Sequence, residues 1–214
     1  TLKKKKHFPR TSNGLDLMKL FIGSEGNFGI ITQATLKIFY KPEARVYDSI
    51  IFNDIETGLS FFKELYHSNL LPASIRLVDN KQFMFGQALK TKQSKLQNII
   101  SLIKKYYLTS YLKLDLKKIV ACTILIEGKK NYVSDLHKKI NYIAKNKYNA
   151  IIGGHENGKK GYELTYAIAY IRDFGLKNHI MAESFETSVS WSDALSMCDK
   201  VEEMAHILHK KYNL

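Results

Sequence analysis

Three groups of residues in this 214-residue chain have types and spacing suited to chemistry. The first is the decapeptide Gly23-Ser24-Glu25-Gly26-Asn27-Phe28-Gly29-Ile30-Ile31-Thr32, followed by the β-branched run Ala34–Ile38. Glycine accepts φ > 0 and lets backbone approach a ligand with no Cβ in the way. Such a loop can aim N–H groups at phosphate or heterocycle acceptors. The spacing is not the Gly-x-Gly-x-x-Gly that opens a helix after a strand. Here a strand is expected to follow, and a tight turn without a ligand stands beside the nucleotide reading.

The second group is arginine. The chain has 33 Lys plus Arg, of which only Arg10, Arg45, Arg76 and Arg172 are Arg. A guanidinium offers a planar fork that donates two parallel hydrogen bonds to a phosphate or carboxylate. Arg172 closes the apolar stretch Tyr166–Ile171, with an ion pair to Asp173 as the competing reading. Arg76 lies in Ser74–Val78, where strand alternation sets it opposite Ile75 and Leu77. A structural salt bridge to Asp79 is its alternative.

The third group is the acids, histidines and thiols. Glu183 and Glu186 lie three apart in an extended segment, on opposite faces, and make a poor acid–base pair. Each is expected to anchor a neighbouring backbone or Arg. His206 and His209 lie one helical turn apart with no third ligand, which argues against a metal site. His155 follows Gly153-Gly154 in a loop, with no assignable use. No Gly-x-Ser-x-Gly or Cys–His nucleophile arrangement occurs, so no catalytic residue is assigned. Cys122 and Cys198 sit in apolar segments and are expected to be buried, reduced thiols.

A net charge of +13 and a pI near 9.5 raise the possibility of a polyanion partner. The lysines, however, are spread along the whole chain rather than clustered with aromatics, and lysine rather than arginine carries the charge. Nucleic-acid binding is therefore disfavoured. No apolar run is long enough to span a bilayer, and the Lys3–Lys6 run is not followed by the apolar stretch of a signal peptide. The chain opens in a loop and stops on an amphipathic helix, and is expected to be an internal piece of a longer protein.

These residues must be positioned by a modest set of elements. Residues 1–43 read as a loop, a short apolar segment at Leu17–Ile22, the glycine loop and a strand ending at Pro42, where a boundary is placed. Strand Arg45–Phe52 leads to helix Asp54–His67, with Asn53 and Glu56 as a capping box and Ile55, Leu59, Phe62 and Tyr66 as its apolar stripe. Strand Ser74–Val78, helix Lys95–Tyr107, strand Ile119–Ile126 and helix Tyr132–Asn146, built on Val133, Leu136, Ile140 and Ile143, come next. A short strand Tyr148–Ile152, helix Gly161–Asp173, extended His179–Glu186 and helix Ser192–Lys211 complete the pattern. Two strand–helix–strand passes predict an α+β layer, an antiparallel or mixed sheet covered by helices.

Five stretches together resemble a known family. They are Pro9–Asp16 (Pro-Arg-Thr-Ser-Asn-Gly-Leu-Asp), the glycine loop, Pro72–Asn80 (Pro-Ala-Ser-Ile-Arg-Leu-Val-Asp-Asn), Leu164–Leu176 (Leu-Thr-Tyr-Ala-Ile-Ala-Tyr-Ile-Arg-Asp-Phe-Gly-Leu) and Glu183–Ser188 (Glu-Ser-Phe-Glu-Thr-Ser). The wording is similar to the FAD-linked oxidase superfamily that includes vanillyl-alcohol oxidase, and within it to the alkyldihydroxyacetonephosphate (alkylglycerone-phosphate) synthase family. The resemblance implies that residues 1–43 end a PCMH-type FAD-binding domain and that 44–214 belong to a substrate-binding cap domain.

The same resemblance implies FAD as cofactor, lined by Glu25, Gly26, Asn27, Phe28, Gly29, Ile30 and Ile31, chiefly through backbone amides. Asn27-Phe28 stands where the family usually has Thr-Leu. Asn tolerates left-handed backbone, whereas Phe is bulkier than Leu beside the cofactor. Arg172 and Arg76 are implied to bind substrate. The implied reaction exchanges the acyl chain of acyl-dihydroxyacetone phosphate for a long-chain fatty alcohol, through a flavin N5 adduct and without net redox change. A peroxisomal compartment, peripheral membrane association and a homodimer are implied as well. The family's pyrophosphate loops and its acid–base residues map outside Thr1–Leu214, so these residues alone are expected to be inactive. Two rivals remain open: an FAD-dependent 2-hydroxy-acid oxidase or dehydrogenase of the same superfamily, and a non-enzymatic basic module that binds polyanions with salt-sensitive affinity.

Overall fold

Alternating apolar and polar residues draw out β1 (Ala44–Phe52), the strand on which the rest of the domain is built. In the computed structural model, which describes residue 12 and residues 14–88, 115–181 and 184–212, the chain forms two compact units, Thr1–Lys41 and Pro42–Leu214. The helix expected at Lys95–Tyr107 and Glu183 of the expected acidic pair lie outside the described residues.

In the second unit β1 pairs antiparallel with β3 (Val120–Gly128), Ile50 opposite Cys122 and Val46 opposite Ile126. On the far side of β3 lies β2 (Ser74–Val78), with Ile75 opposite Ile124. The two-residue β4 (Ile151–Ile152) adds to the other edge of β1. The order β2-β3-β1-β4 with every pair antiparallel is that of a split βαβ, ferredoxin-like sheet.

One face of this sheet is covered by α2 (Ile55–His67) and α4 (Lys130–Tyr148). Their buried positions, Phe61 and Leu65 on α2 and Val133, Leu136, Ile140 and Ala144 on α4, close over Ile50, Phe52, Cys122, Ile124 and Ile126. Phe52 and Phe61 pack with ring centroids 5.0 Å apart. The stripe expected on α4 matches this face. On α2 the buried line is Gly58–Phe61–Leu65 rather than Ile55–Leu59–Phe62–Tyr66, and Tyr66 faces outward. The helix is rotated because the sheet-facing line is chosen by what Phe52 and Leu77 leave to fill, not by the helix's own apolar count. Burial pushes the Cys122 thiol up, leaving an inert side chain of the core.

The α2 cap also differs from expectation. Asp54, not Asn53, is the N-cap: its Oδ1 accepts from the Thr57 backbone N–H at 2.8 Å and from the Thr57 hydroxyl at 2.6 Å. Those bonds to Thr57 hold the Asp54 carboxyl below its ordinary value of 3.8. A carboxylate lowered in the folded state stabilises at pH values above its ordinary range, and the stabilisation is lost as pH falls through the folded-state value. Asp54→Ala is therefore expected to cost about 1 kcal/mol at neutral pH. Asp54→Asn should keep the cap while removing that acid-side loss, both read from denaturant unfolding at pH 7 and pH 3.

Three further helices of the unit lie among the described residues. The first, α5 (His155–Lys177), begins six residues before the expected Gly161 and lies across the other face of the sheet. The second, α6 (Ala194–Tyr212), has no buried residue among those described, and Cys198 on it is exposed rather than buried. An apolar segment buries its thiol only where another element covers it. A short α3 (Asn80–Ala88) follows β2, with the Asn80 amide donating to the Leu116 and Ile119 carbonyls at 2.8 and 2.9 Å.

In the first unit the apolar segment forms a single helix, α1 (Leu17–Phe21), capped by Asp16. The strand expected after the glycine loop is absent: residues 30–41 take no regular secondary structure and pair with no described strand, and Ile30, Leu36, Ile38 and Phe39 are exposed. β-branched alternation supplies the tendency to extend, while a ladder also needs a partner's N–H and C=O groups.

Candidate functional site

The glycine loop forms a chain of tight turns. Gly23 (φ 82°), Glu25 (φ 49°), Gly26 (φ 85°) and Gly29 (φ 148°) take left-handed or mirror-extended backbone. Asn27 N–H donates to Ser24 O at 2.9 Å and Gly29 N–H to Gly26 O at 3.3 Å. The N–H groups of Glu25, Gly26 and Phe28 have no internal partner among the described residues. A Cβ built at Gly23 or Gly26 would meet nothing within 4 Å, so the backbone stands open on that side. Phe28 rests edge-on against Phe21, centroids 6.4 Å apart, while Ile30 and Ile31 remain exposed. The loop thus combines donor N–H groups with neighbouring apolar side chains, a donor set that fits a heterocycle with carbonyl and ring-nitrogen acceptors.

In the second unit the arginines sort themselves by partner. Arg45 is directly opposite Glu127 in the β1–β3 register, and its Nε donates to Glu127 Oε2 at 2.8 Å. Arg76 points away from Ile75 and Leu77, onto the face that carries α5. There its Nη1 donates to the Thr165 hydroxyl and its guanidinium carbon stands 5.7 Å from the Tyr162 ring centroid. Asp79, the alternative partner, instead accepts the Gln82 N–H at 2.7 Å at the start of α3. Arg172 is exposed on α5, and among the described residues neither Asp173 nor any other carboxylate pairs with it or with Arg76.

Arg172 lies on α5, and Arg76 of β2 reaches the same helix at Thr165. Arg172 follows Thr165 by seven residues, which brings it back to nearly the same side of α5 about 10.5 Å further along the axis. The helix approaches the sheet closely at its start, since a Cβ on Gly158 would fall inside the Asp48 backbone and one on Gly161 would stand 2.5 Å from Thr123 Cγ2. Tyr162 sits between, 5.5 Å from Tyr47 and 6.1 Å from Tyr166, while Tyr47 also meets the His155 ring at 5.7 Å. Hydrogen bonding to Tyr166 and then burial hold the Tyr162 phenol above its ordinary value, with Arg76 opposing. A neutral ring beneath a fixed cation offers a π-face and not a base.

Thr165 and Tyr162 escaped the sequence reading, although their spacing to Arg172 (residues 162, 165 and 172) carries the signal of one helix face. The opposite face of the sheet holds a second group that escaped it. Buried Asp48 accepts from its neighbour Ser49 N–H at 2.8 Å, from the Asn141 amide at 3.0 Å and from His137 Nε2 at 2.6 Å. This carboxylate ties α4 to the middle of β1. Glu186 is exposed in the segment before α6, and His206 lies 3.8 Å from Glu202.

Fold and site define the class. Residues 41–210 match the family model for the C-terminal domain of FAD linked oxidases, and the chain belongs to that family, whose cofactor is FAD. Among its relatives, alkyldihydroxyacetonephosphate synthase of Caenorhabditis elegans is 40% identical over 204 residues, 95% of this chain and 34% of that protein. The synthase of Trypanosoma brucei brucei is 30% identical over 189 residues, 87% of this chain and 31% of that protein. A solved alkyldihydroxyacetonephosphate synthase superposes with a TM-score of 0.75 at 26% identity, covering 94% of this chain and 36% of that one. The chain thus spans about a third of the length of the curated relatives it matches.

Proposed function

We propose that this chain is the middle portion of an alkyldihydroxyacetonephosphate synthase, in which a fatty alcohol replaces the acyl chain of acyl-dihydroxyacetone phosphate in ether-lipid synthesis. The observation that carries the reading is the pair of guanidiniums, Arg172 on α5 and Arg76 of β2 bonded to α5 at Thr165, with no carboxylate among the described residues to neutralise them. A permanent charge without an acidic partner is suited to an anionic ligand, and a phosphate monoester presents oxygens that accept from a guanidinium fork.

In this reading Arg172 and Arg76 hold the phosphate of the substrate. The loop Glu25–Ile31 would hold FAD through the Glu25, Gly26 and Phe28 amides, with Phe28, Ile30 and Ile31 against the ring system. FAD, when bound, supplies the electrophilic ring nitrogen for the exchange, and the protein supplies orientation and charge. Residues of the longer protein would supply the acid and base, and the peroxisomal lumen is the compartment that accompanies this function.

Full-length protein is expected to release fatty acid from acyl-dihydroxyacetone phosphate only when fatty alcohol is present, with alcohol carbon appearing in the product and no electron acceptor consumed. Release of acid without incorporation of alcohol would overturn the exchange. Turnover of a 2-hydroxy acid with reduction of an acceptor would place the chain with the hydroxy-acid oxidases instead.

A further inference from the structure

We infer that Thr165 and Tyr162 are positioning residues for Arg76, fixing the plane of its guanidinium before a phosphate-bearing ligand arrives. The inference rests on the reading of Arg76 as an anion-binding residue and extends it to two residues of α5 to which that reading gives no role.

The contacts form a closed circuit. Arg76 is directly opposite Thr123 in the β2–β3 register. The methyl of Thr123 is the atom that Gly161 approaches, so closely that a Cβ there would stand 2.5 Å away. Thr165 lies one helical turn beyond Gly161, and its hydroxyl accepts the Arg76 Nη1–H. The strand position that carries the arginine and the helix position that receives it are therefore tied to one ladder pair, and the distance between them is set by backbone packing.

Tyr162, three residues before Thr165, places its ring 5.7 Å from the guanidinium carbon. That ring is held in turn by Tyr47 at 5.5 Å and Tyr166 at 6.1 Å. An exposed arginine ordinarily samples many rotamers, and ordering it is a cost that binding must meet. Here one donor is already committed to a neutral hydroxyl and one face to an aromatic ring. Neither partner cancels the charge, and the remaining donors are left for an anion.

The test uses the full-length holoenzyme, with steady-state kinetics on acyl-dihydroxyacetone phosphate and inorganic phosphate as a competitive probe. Thr165→Val keeps the side-chain volume and removes the acceptor. It is expected to raise KM and weaken phosphate inhibition about tenfold, the loss typical of one charge-assisted hydrogen bond, with kcat changing less. Thr165→Ser should restore both, a rescue that a packing role for the methyl would not give. Tyr162→Leu should weaken phosphate about threefold, whereas Tyr162→Phe should not, because the ring face and not the hydroxyl is used.

In the Arg76→Ala background Thr165→Val should add nothing. The flavin absorbance and melting midpoint serve as the check that each variant is folded and loaded. If Thr165→Val does not load FAD, Tyr162→Leu against Tyr162→Phe decides. Wild-type KM and phosphate inhibition in Thr165→Val or Tyr162→Leu, with both parameters impaired in Arg76→Ala, would overturn the positioning role and leave the anion role standing. Unchanged parameters in Arg76→Ala would overturn the anion role itself.

Discussion

Arg172→Ala and Arg76→Ala are each expected to lower kcat/KM of the full-length enzyme for acyl-dihydroxyacetone phosphate by at least about a hundredfold, Arg172→Ala while leaving its melting midpoint in place. A hydrogen bond to a charged group contributes about 1.5–3 kcal/mol. Two such bonds from one fork therefore amount to at least about 3 kcal/mol, which is about two powers of ten in rate. Stability should not follow for Arg172, which is exposed and pairs with no carboxylate among the described residues, whereas Arg76→Ala also gives up its bond to Thr165 and its contact with the Tyr162 ring, worth about 1–2 kcal/mol together. Surface substitutions without such partners typically stay within about 0.5 kcal/mol.

Arg172→Lys should recover only part of the loss, since it keeps the charge and gives up the fork. Arg45→Ala is the internal contrast. It breaks the exposed Arg45–Glu127 pair, is worth no more than about 1 kcal/mol, and should leave turnover untouched. An acyl substrate lacking the phosphate should be turned over equally poorly by the wild type and both alanine variants. If Arg172→Ala and Arg76→Ala retain wild-type kcat/KM with the phosphate-bearing substrate, the anion site lies elsewhere.

Gly158→Val is expected to destabilise the protein by about 3 kcal/mol or more. Any Cβ at this position would fall inside the backbone of Asp48 on β1, so no side-chain rotamer relieves the clash and α5 has to lift from the sheet. Asp48 is itself pinned from the other side by Asn141 and His137, so β1 cannot yield toward α4. The same movement would separate Thr165 from Arg76, so phosphate inhibition of any folded fraction should weaken as well. Gly86→Ala on α3 supplies the control. A Cβ there meets nothing within 4 Å, and replacing a helical glycine by alanine gains about 0.5–1 kcal/mol. Urea unfolding of both variants against the parent checks the pair. A parent-like midpoint for Gly158→Val would mean that α5 does not seat on β1 through this glycine.

Much of the second unit was legible in the chain because its signals are local. Alternation over Ala44–Phe52 and the β-branched run through Cys122 mark strands that the structure places side by side at the centre of the sheet. The spacing of Val133, Leu136 and Ile140 marks the helix face that is buried. The placement of Arg76 opposite Ile75 and Leu77 also followed from the two-residue period of a strand. The misreadings have one origin. Ile30–Ile38 has the residues of a strand and no described partner, the buried face of α2 was chosen by the sheet, and Cys198 was left open because nothing described covers α6.

By itself the sequence determined the α+β class, the family, the glycine loop and the short inventory of arginines. These rest on residue type and on periods of two or 3.6 residues, which are properties of a few consecutive positions. Only the tertiary structure decided which arginine is neutralised and which have no acid beside them among the described residues. Glu127 reaches Arg45, and Thr165 reaches Arg76, across 82 and 89 residues of chain. Partners that far apart are brought together by strand register and by the close approach of α5 at Gly158 and Gly161. The charge available to a ligand is therefore a property of the packed sheet, because a cation is free only when the fold has placed no acid beside it.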